Sequence, residues 1–105
     1  MEARTPRMAQ LEALLADDPT DVFLRYGLAM EHVSAGDEAT GADHLVRLAN
    51  DANYVPAFLQ AGQVLARLNR VEEACDLLRR GVGAAKKQGD AHAEGEMAGL
   101  LASLE

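Results

Sequence analysis

A pattern of small, turn-forming and large residues recurs along this chain at a spacing of 33. At that shift Leu28-Ala29 falls on Ala61-Gly62, Gly36 on Asn69, Gly41 on Ala74, and Leu45 on Leu78. Each copy runs in the same order: a small residue in mid-helix, a turn residue, a small residue early in the next helix, then a large apolar one. That order implies a helical hairpin whose members approach closely at Gly62 and Ala74, because small side chains let one helix lie in the groove of the other. A repeated hairpin constrains the whole fold, since each unit buries its apolar face only by stacking on its neighbours.

Turn and cap residues divide the chain into six helical stretches. The first runs from about Pro6 to Ala16 with Met8, Leu11, Leu14 and Leu15 as its apolar positions. Asp17-Asp18-Pro19 closes it, because the residue before a proline avoids the helical region. Thr20 or Asp21 caps a second helix reaching about Ala35, where Gly36-Asp37 turns the chain. The third spans about Glu38 to Asn50. Asn53-Tyr54 opens a fourth that ends near Leu68, with Asn69 in the turn. The fifth starts near Val71 and is expected to weaken at Gly81 and Gly83, each glycine costing roughly 1 kcal/mol relative to alanine. Gly89-Asp90 separates it from a sixth, from about Ala91 to Leu104. Alanine and leucine are abundant, β-branched residues are scarce, and no strand-like alternation persists, so the chain is expected to be all-α.

The second unit, reading Phe58, Ala61-Gly62, Leu65, Ala74 and Leu78, resembles a tetratricopeptide repeat. That pattern runs large, two residues, Leu-Gly, two residues, aromatic, then Ala, three residues, aromatic or Leu. The first unit is a looser match: Leu28-Ala29, His32, Gly41 and Leu45, with Arg25 where a large apolar residue is expected and Phe23 or Tyr26 left to do that packing. Pro19 resembles the proline the family places between repeats. The leading helix resembles the second half of a repeat, packing through Leu11 and Leu14. The last resembles a first half, with Met97-Ala98 and Leu101 at the equivalent positions. The resemblance implies a right-handed stack of antiparallel helix pairs, a TPR-like α-solenoid of about six helices. It divides a single domain, 1–105, into a leading half-repeat helix (6–17), repeat 1 (20–51), repeat 2 (53–88) and a C-terminal capping helix (90–104).

With 49% apolar and 26% charged residues over 105 positions, the chain is expected to form one soluble globular domain. No apolar run approaches the roughly 18 residues that span a bilayer. The N-terminal arginines have no hydrophobic segment behind them, so a secretory signal is not expected. Cys75 has no second cysteine to pair with, and a cytoplasmic location is the default. A net charge of -7 argues against nucleic acid as partner. The charge is uneven: residues 67–87 carry +3 and the remainder -10. The plain reading is a solvated helix face whose last-turn cations suit the helix dipole; the alternative is a docking patch for an acidic partner.

Catalytic and metal chemistry find little support. His32 falls where the family has an aromatic packing residue, so a core or half-buried histidine is expected. His44, beside Asp43, is expected on the exposed side of its helix, and no third ligand completes a zinc site. His92 and Glu96, at i and i+4, form an ordinary surface pair. There is no Gly-rich phosphate loop, HExxH, GxSxG or Cys-x-x-Cys. Cys75 is expected to be a packed thiol. No enzyme activity, metal or cofactor is therefore expected. Gly95 and Gly99 permit close packing or leave a smooth surface, with a self-association seam as the alternative.

Members of the family generally hold an extended peptide or a helix in a concave groove lined by the first helix of each pair. The resemblance puts Phe23, Tyr26, Met30 and Val33 in that groove from the first unit. The second unit contributes Leu59, Gln63, Ala66 and Arg67, and Gly95 and Gly99 line the end. Phe23 and Val33 are expected to pack against the neighbouring helix. Tyr26, Met30, Leu59, Gln63 and Arg67 are the partner-binding candidates: an aromatic with a polar tip, an adaptable thioether, and polar groups one turn apart. The expected function is a non-catalytic module for a partner protein. The alternative is a self-associating module that extends the stack between chains.

Overall fold

The computed structural model describes residues 4–105, which form six α-helices. These are α1 (Pro6–Asp17), α2 (Val22–Ser34), α3 (Glu38–Ala52), α4 (Val55–Arg67), α5 (Val71–Gln88) and α6 (Ala91–Leu104). Local chemistry sets most of their ends. The side chains of Thr5, Asp21, Asp37 and Asp90 accept hydrogen bonds from the amides of Met8, Leu24, Thr40 and Ala93, opening α1, α2, α3 and α6. Each such cap contributes about 1 kcal/mol.

Three helix exits close in one way. Gly36 (φ 91°), Asn69 (φ 62°) and Gly89 (φ 73°) adopt the left-handed conformation. The amide that follows each one reaches back to a carbonyl in the last turn: Asp37 to His32, Arg70 to Leu65 and Asp90 to Ala85, all at 2.9 Å. This pattern satisfies carbonyls the helix end would leave unpaired. Gly36 and Asn69 are the two turn residues related by the 33-residue shift, so the repeat in the sequence is also a repeat in backbone geometry.

Consecutive helices pack as hairpins, α2 on α3 and α4 on α5, and the hairpins join through α3 on α4 and α5 on α6. The small residues lie at the crossings. A Cβ placed on Gly62 would come 2.5 Å from a methyl of Leu78, a fully buried side chain. One on Gly41 would meet Val33 at 2.5 Å and the Ala29 carbonyl at 3.0 Å. Ala29, Ala42, Ala61 and Ala74 are fully buried around these contacts, with Leu45, Leu48, Phe58, Val64 and Leu65 filling the space between the hairpins.

Two local expectations are corrected. Helix α5 continues through Gly81 and Gly83 without weakening. Gly81 is buried, and a Cβ there would sit 2.7 Å from that of Phe58 and collide with the Met97 sulfur. Burial at this three-helix junction outweighs a propensity cost of about 1 kcal/mol. In α1 the packing residues are Met8 and Leu11, which form a small cluster with Leu28, while Leu14 is 53% exposed. At about 100° per residue Leu14 lies roughly 120° around the helix from Met8, off the stripe that Met8, Leu11 and Leu15 share.

Candidate functional site

Helix α2 presents Phe23, Tyr26 and Met30 at i, i+3 and i+7. Tyr26 and Met30 are half-buried against the main core, whereas Phe23 is 76% exposed and so is not the packing residue expected of it. Tyr26 supplies that packing. Its ring meets Tyr54 edge-on at 5.4 Å, and Phe23 meets the same ring at 6.2 Å. Tyr54 is the N-cap of α4 but makes no side-chain capping bond; its ring ties the end of α3 to the face of α2 instead. Burial, followed by the neighbouring Tyr54, raises the pKa of the Tyr26 phenol, which keeps it a neutral hydrogen-bonding group. Tyr54 was not among the sequence candidates. The available signal was an aromatic at a cap position that normally carries Ser, Thr, Asp or Asn.

On α4, Leu59 and Gln63 are half-buried and Arg67 is exposed. Leu59 packs against the core. The Arg67 Nε donates to Glu38 at 2.9 Å, pinning the end of α4 to the first turn of α3. The candidates thus fall on two helices: Tyr26 reaches the entry of α4 through Tyr54, while Arg67 is drawn toward α3. Gly95 and Gly99 face open space, with no atom within 4 Å of a Cβ built there.

The basic segment is largely neutralised from within. Arg67, Arg70, Arg79, Arg80 and Lys86 pair with Glu38, Glu73, Glu105, Asp76 and Glu94, leaving Lys87 alone of the six cations outside these pairs. The segment is an ion-paired surface more than an open cationic patch.

The histidines differ from expectation at one position. His32 is buried at 4% exposure, as its aromatic register implies, and its Nδ1 has no hydrogen-bond partner among the described residues. His44 is half-buried rather than exposed, its ring centroid 5.1 Å from that of His32. Burial lowers its pKa, helped by His32, Arg47 and Arg25 and opposed by Asp43. Helix periodicity put His44 near Asp43 but could not reveal that α2 carries His32 beneath it. Among the described residues no group of three or more His, Cys, Asp or Glu side chains could hold a metal ion. Cys75 is buried and unpaired. No helix of the described residues is long and apolar enough to cross a membrane.

Hairpins stacked through small residues, with a partly exposed apolar face, define a helical-repeat scaffold. The chain is 30% identical over 96 residues to a TPR repeat-containing protein of Pseudomonas aeruginosa, covering 90% of this chain and 91% of that one. It belongs to the tetratricopeptide repeat family. Solved structures agree. The crystal structure of a tetratricopeptide repeat domain protein from Salinibacter ruber superposes with a TM-score of 0.73 at 26% identity, covering 80% of this chain and 94% of that one. The solution structure of a Bordetella parapertussis protein gives 0.77 at 23% identity, with 97% and 89% covered, and shares the fold. No family profile matches the sequence. Proteins of this family are in general non-enzymatic scaffolds for protein interactions.

Proposed function

We propose that the chain is a non-catalytic protein-interaction module whose α2/α4 face holds an extended peptide or short helix of a partner protein. The repeat units are taken as 20–51 and 53–88, with 6–17 and 90–104 as flanking half-units. Supporting this reading most directly is the run of accessible apolar side chains on that face: exposed Phe23 beside half-buried Tyr26 and Met30, with Leu59 on α4. Gln63 offers a polar contact in mid-face, and Arg67 a guanidinium that must exchange or share Glu38 to engage a partner carboxylate. The test is partner capture by Tyr26→Glu and Met30→Glu variants with unchanged helix content. Loss of capture is expected for both; undiminished capture by either would remove the proposal.

Self-association is the second reading. Leu100, Leu101 and Leu104 of α6 are only partly buried, so a neighbouring chain could extend the stack over them. Sedimentation over a range of concentrations separates the two, because the peptide reading needs no dimer.

A further inference from the structure

Among the clefts beside the helices, two are lined by none of Tyr26, Met30, Leu59, Gln63 or Arg67 and are related by the repeat. The first, about 220 Å³, is lined by Leu15, Pro19, Arg25, Leu28, His44 and Arg47. The second, about 340 Å³, includes Asn53, Phe58, Arg80 and Lys87. The first lies where α1 meets the α2/α3 hairpin, the second where the end of α3 meets the α4/α5 hairpin, and Arg80 stands 33 residues after Arg47.

The two arginines differ in what surrounds them. Arg80 is satisfied by its own chain, with the Asp76 carboxylate at 3.2 Å, the Asn50 side-chain oxygen, and the Phe58 ring 5.6 Å away. Arg47 makes no ion pair and no hydrogen bond among the described residues. Asp43, the register counterpart of Asp76, lies one turn before it and does not reach it. Beside Arg47, Arg25 is held by Asp51 at 2.9 Å. His44 forms part of the wall, backed by the buried His32 ring. Leu15, Leu28 and Pro19 supply apolar surface.

We propose that this cleft receives an acidic side chain flanked by an aliphatic one, contributed by a peptide segment of a partner protein. The carboxylate is taken by Arg47, with Arg25 beside it, and the aliphatic group lies against Leu15, Leu28 and Pro19. Charge complementarity carries the choice of occupant. In a chain of net charge -7 this cleft holds the Arg47 guanidinium with no carboxylate partner among the described residues, beside an Arg25 that Asp51 already pairs, and the planar fork of Arg47 matches a carboxylate in two-point geometry. Asp51, paired with Arg25 at 2.9 Å, opposes a dianion such as phosphate more than a single carboxylate, and the aliphatic wall of Leu15, Leu28 and Pro19 gives a phosphate nothing to bind. The cleft is smaller than a site for a drug-sized ligand and suits a pair of side chains. This site is separate from the α2/α4 face, so either can fail without the other.

Weak binding of this kind is readable by amide chemical-shift mapping of the isotope-labelled protein. The probe is N-acetyl-Leu-Glu-amide at millimolar concentration, with N-acetyl-Leu-Gln-amide and inorganic phosphate as comparison arms. The Glu probe is expected to perturb residues near 15–28 and 44–47 and to bind roughly tenfold more tightly than the Gln probe. Arg47→Glu should abolish the perturbation and Asp43→Asn should strengthen it. An Arg79→Glu control on α5 should leave it unchanged. Equal effects of the Glu and Gln probes, equal or stronger shifts with phosphate, shifts confined to the α2/α4 face, or insensitivity to Arg47→Glu would each overturn the proposal.

Discussion

Replacing Gly62 by alanine tests whether the small residue exists for helix approach. In an unconstrained helix the change stabilises by about 1 kcal/mol. Here the new Cβ would lie 2.5 Å from one Leu78 methyl and 2.6 Å from its Cγ, and Leu78 is fully buried with no room to retreat. Overpacking of this kind costs about 1–3 kcal/mol, so Gly62→Ala should destabilise by roughly 0–2 kcal/mol net. Gly83 serves as the control, since a Cβ there meets nothing within 4 Å; Gly83→Ala should stabilise by about 1 kcal/mol. The opposite signs should be visible in urea unfolding followed by circular dichroism, and as melting shifts of roughly 4 °C per kcal/mol. In a Leu78→Ala background the obstruction is gone, and Gly62→Ala should become stabilising by about 1 kcal/mol. If Gly62→Ala destabilises equally with and without Leu78, or stabilises as much as Gly83→Ala, the close-approach argument is wrong.

Two further outcomes follow from local geometry. Asn69 closes α4 at φ 62°, so Asn69→Ala should cost about 1 kcal/mol while Asn69→Gly costs little; equal midpoints in urea for the two variants would contradict this. The pKa of His44 is lowered in the folded state from its ordinary 6.5, so the unfolded chain takes up the proton first. Stability is therefore full above about pH 6.5 and falls as pH drops below it toward the folded-state pKa. His44→Gln should flatten that part of the stability–pH curve, and an unchanged slope in the variant would show that burial against His32 is not its source.

Of the proposed α2/α4 face, the sequence showed only which helices carry its candidates: Tyr26 and Met30 on α2 and Leu59 on α4. Tyr54 was not among them, because its role depends on two rings of α2 that lie far from it in sequence. Arg67 reads as a free cation along the chain, yet its partner Glu38 lies 29 residues away on another helix. The first cleft was also hidden, since its lining combines α1, α2, α3 and the turn at Pro19.

By itself the sequence determined the fold class and most helix ends. Those depend on local chemistry: aspartates and a threonine that cap amides, Gly and Asn that accept positive φ, and a 33-residue order of small and large residues that permits one way of stacking. Tertiary structure alone decided which competing local signals prevailed. It kept α5 helical through Gly81 by burying that glycine against Phe58 and Met97. It exposed Leu14 while Met8 took the core position. It also sank His44 against His32 and left Arg47 without an ion pair among the described residues, where Arg80 found Asp76 and Asn50. Each of these outcomes depends on side chains brought together from different helices, and periodicity along one helix carries no information about what another helix places opposite it.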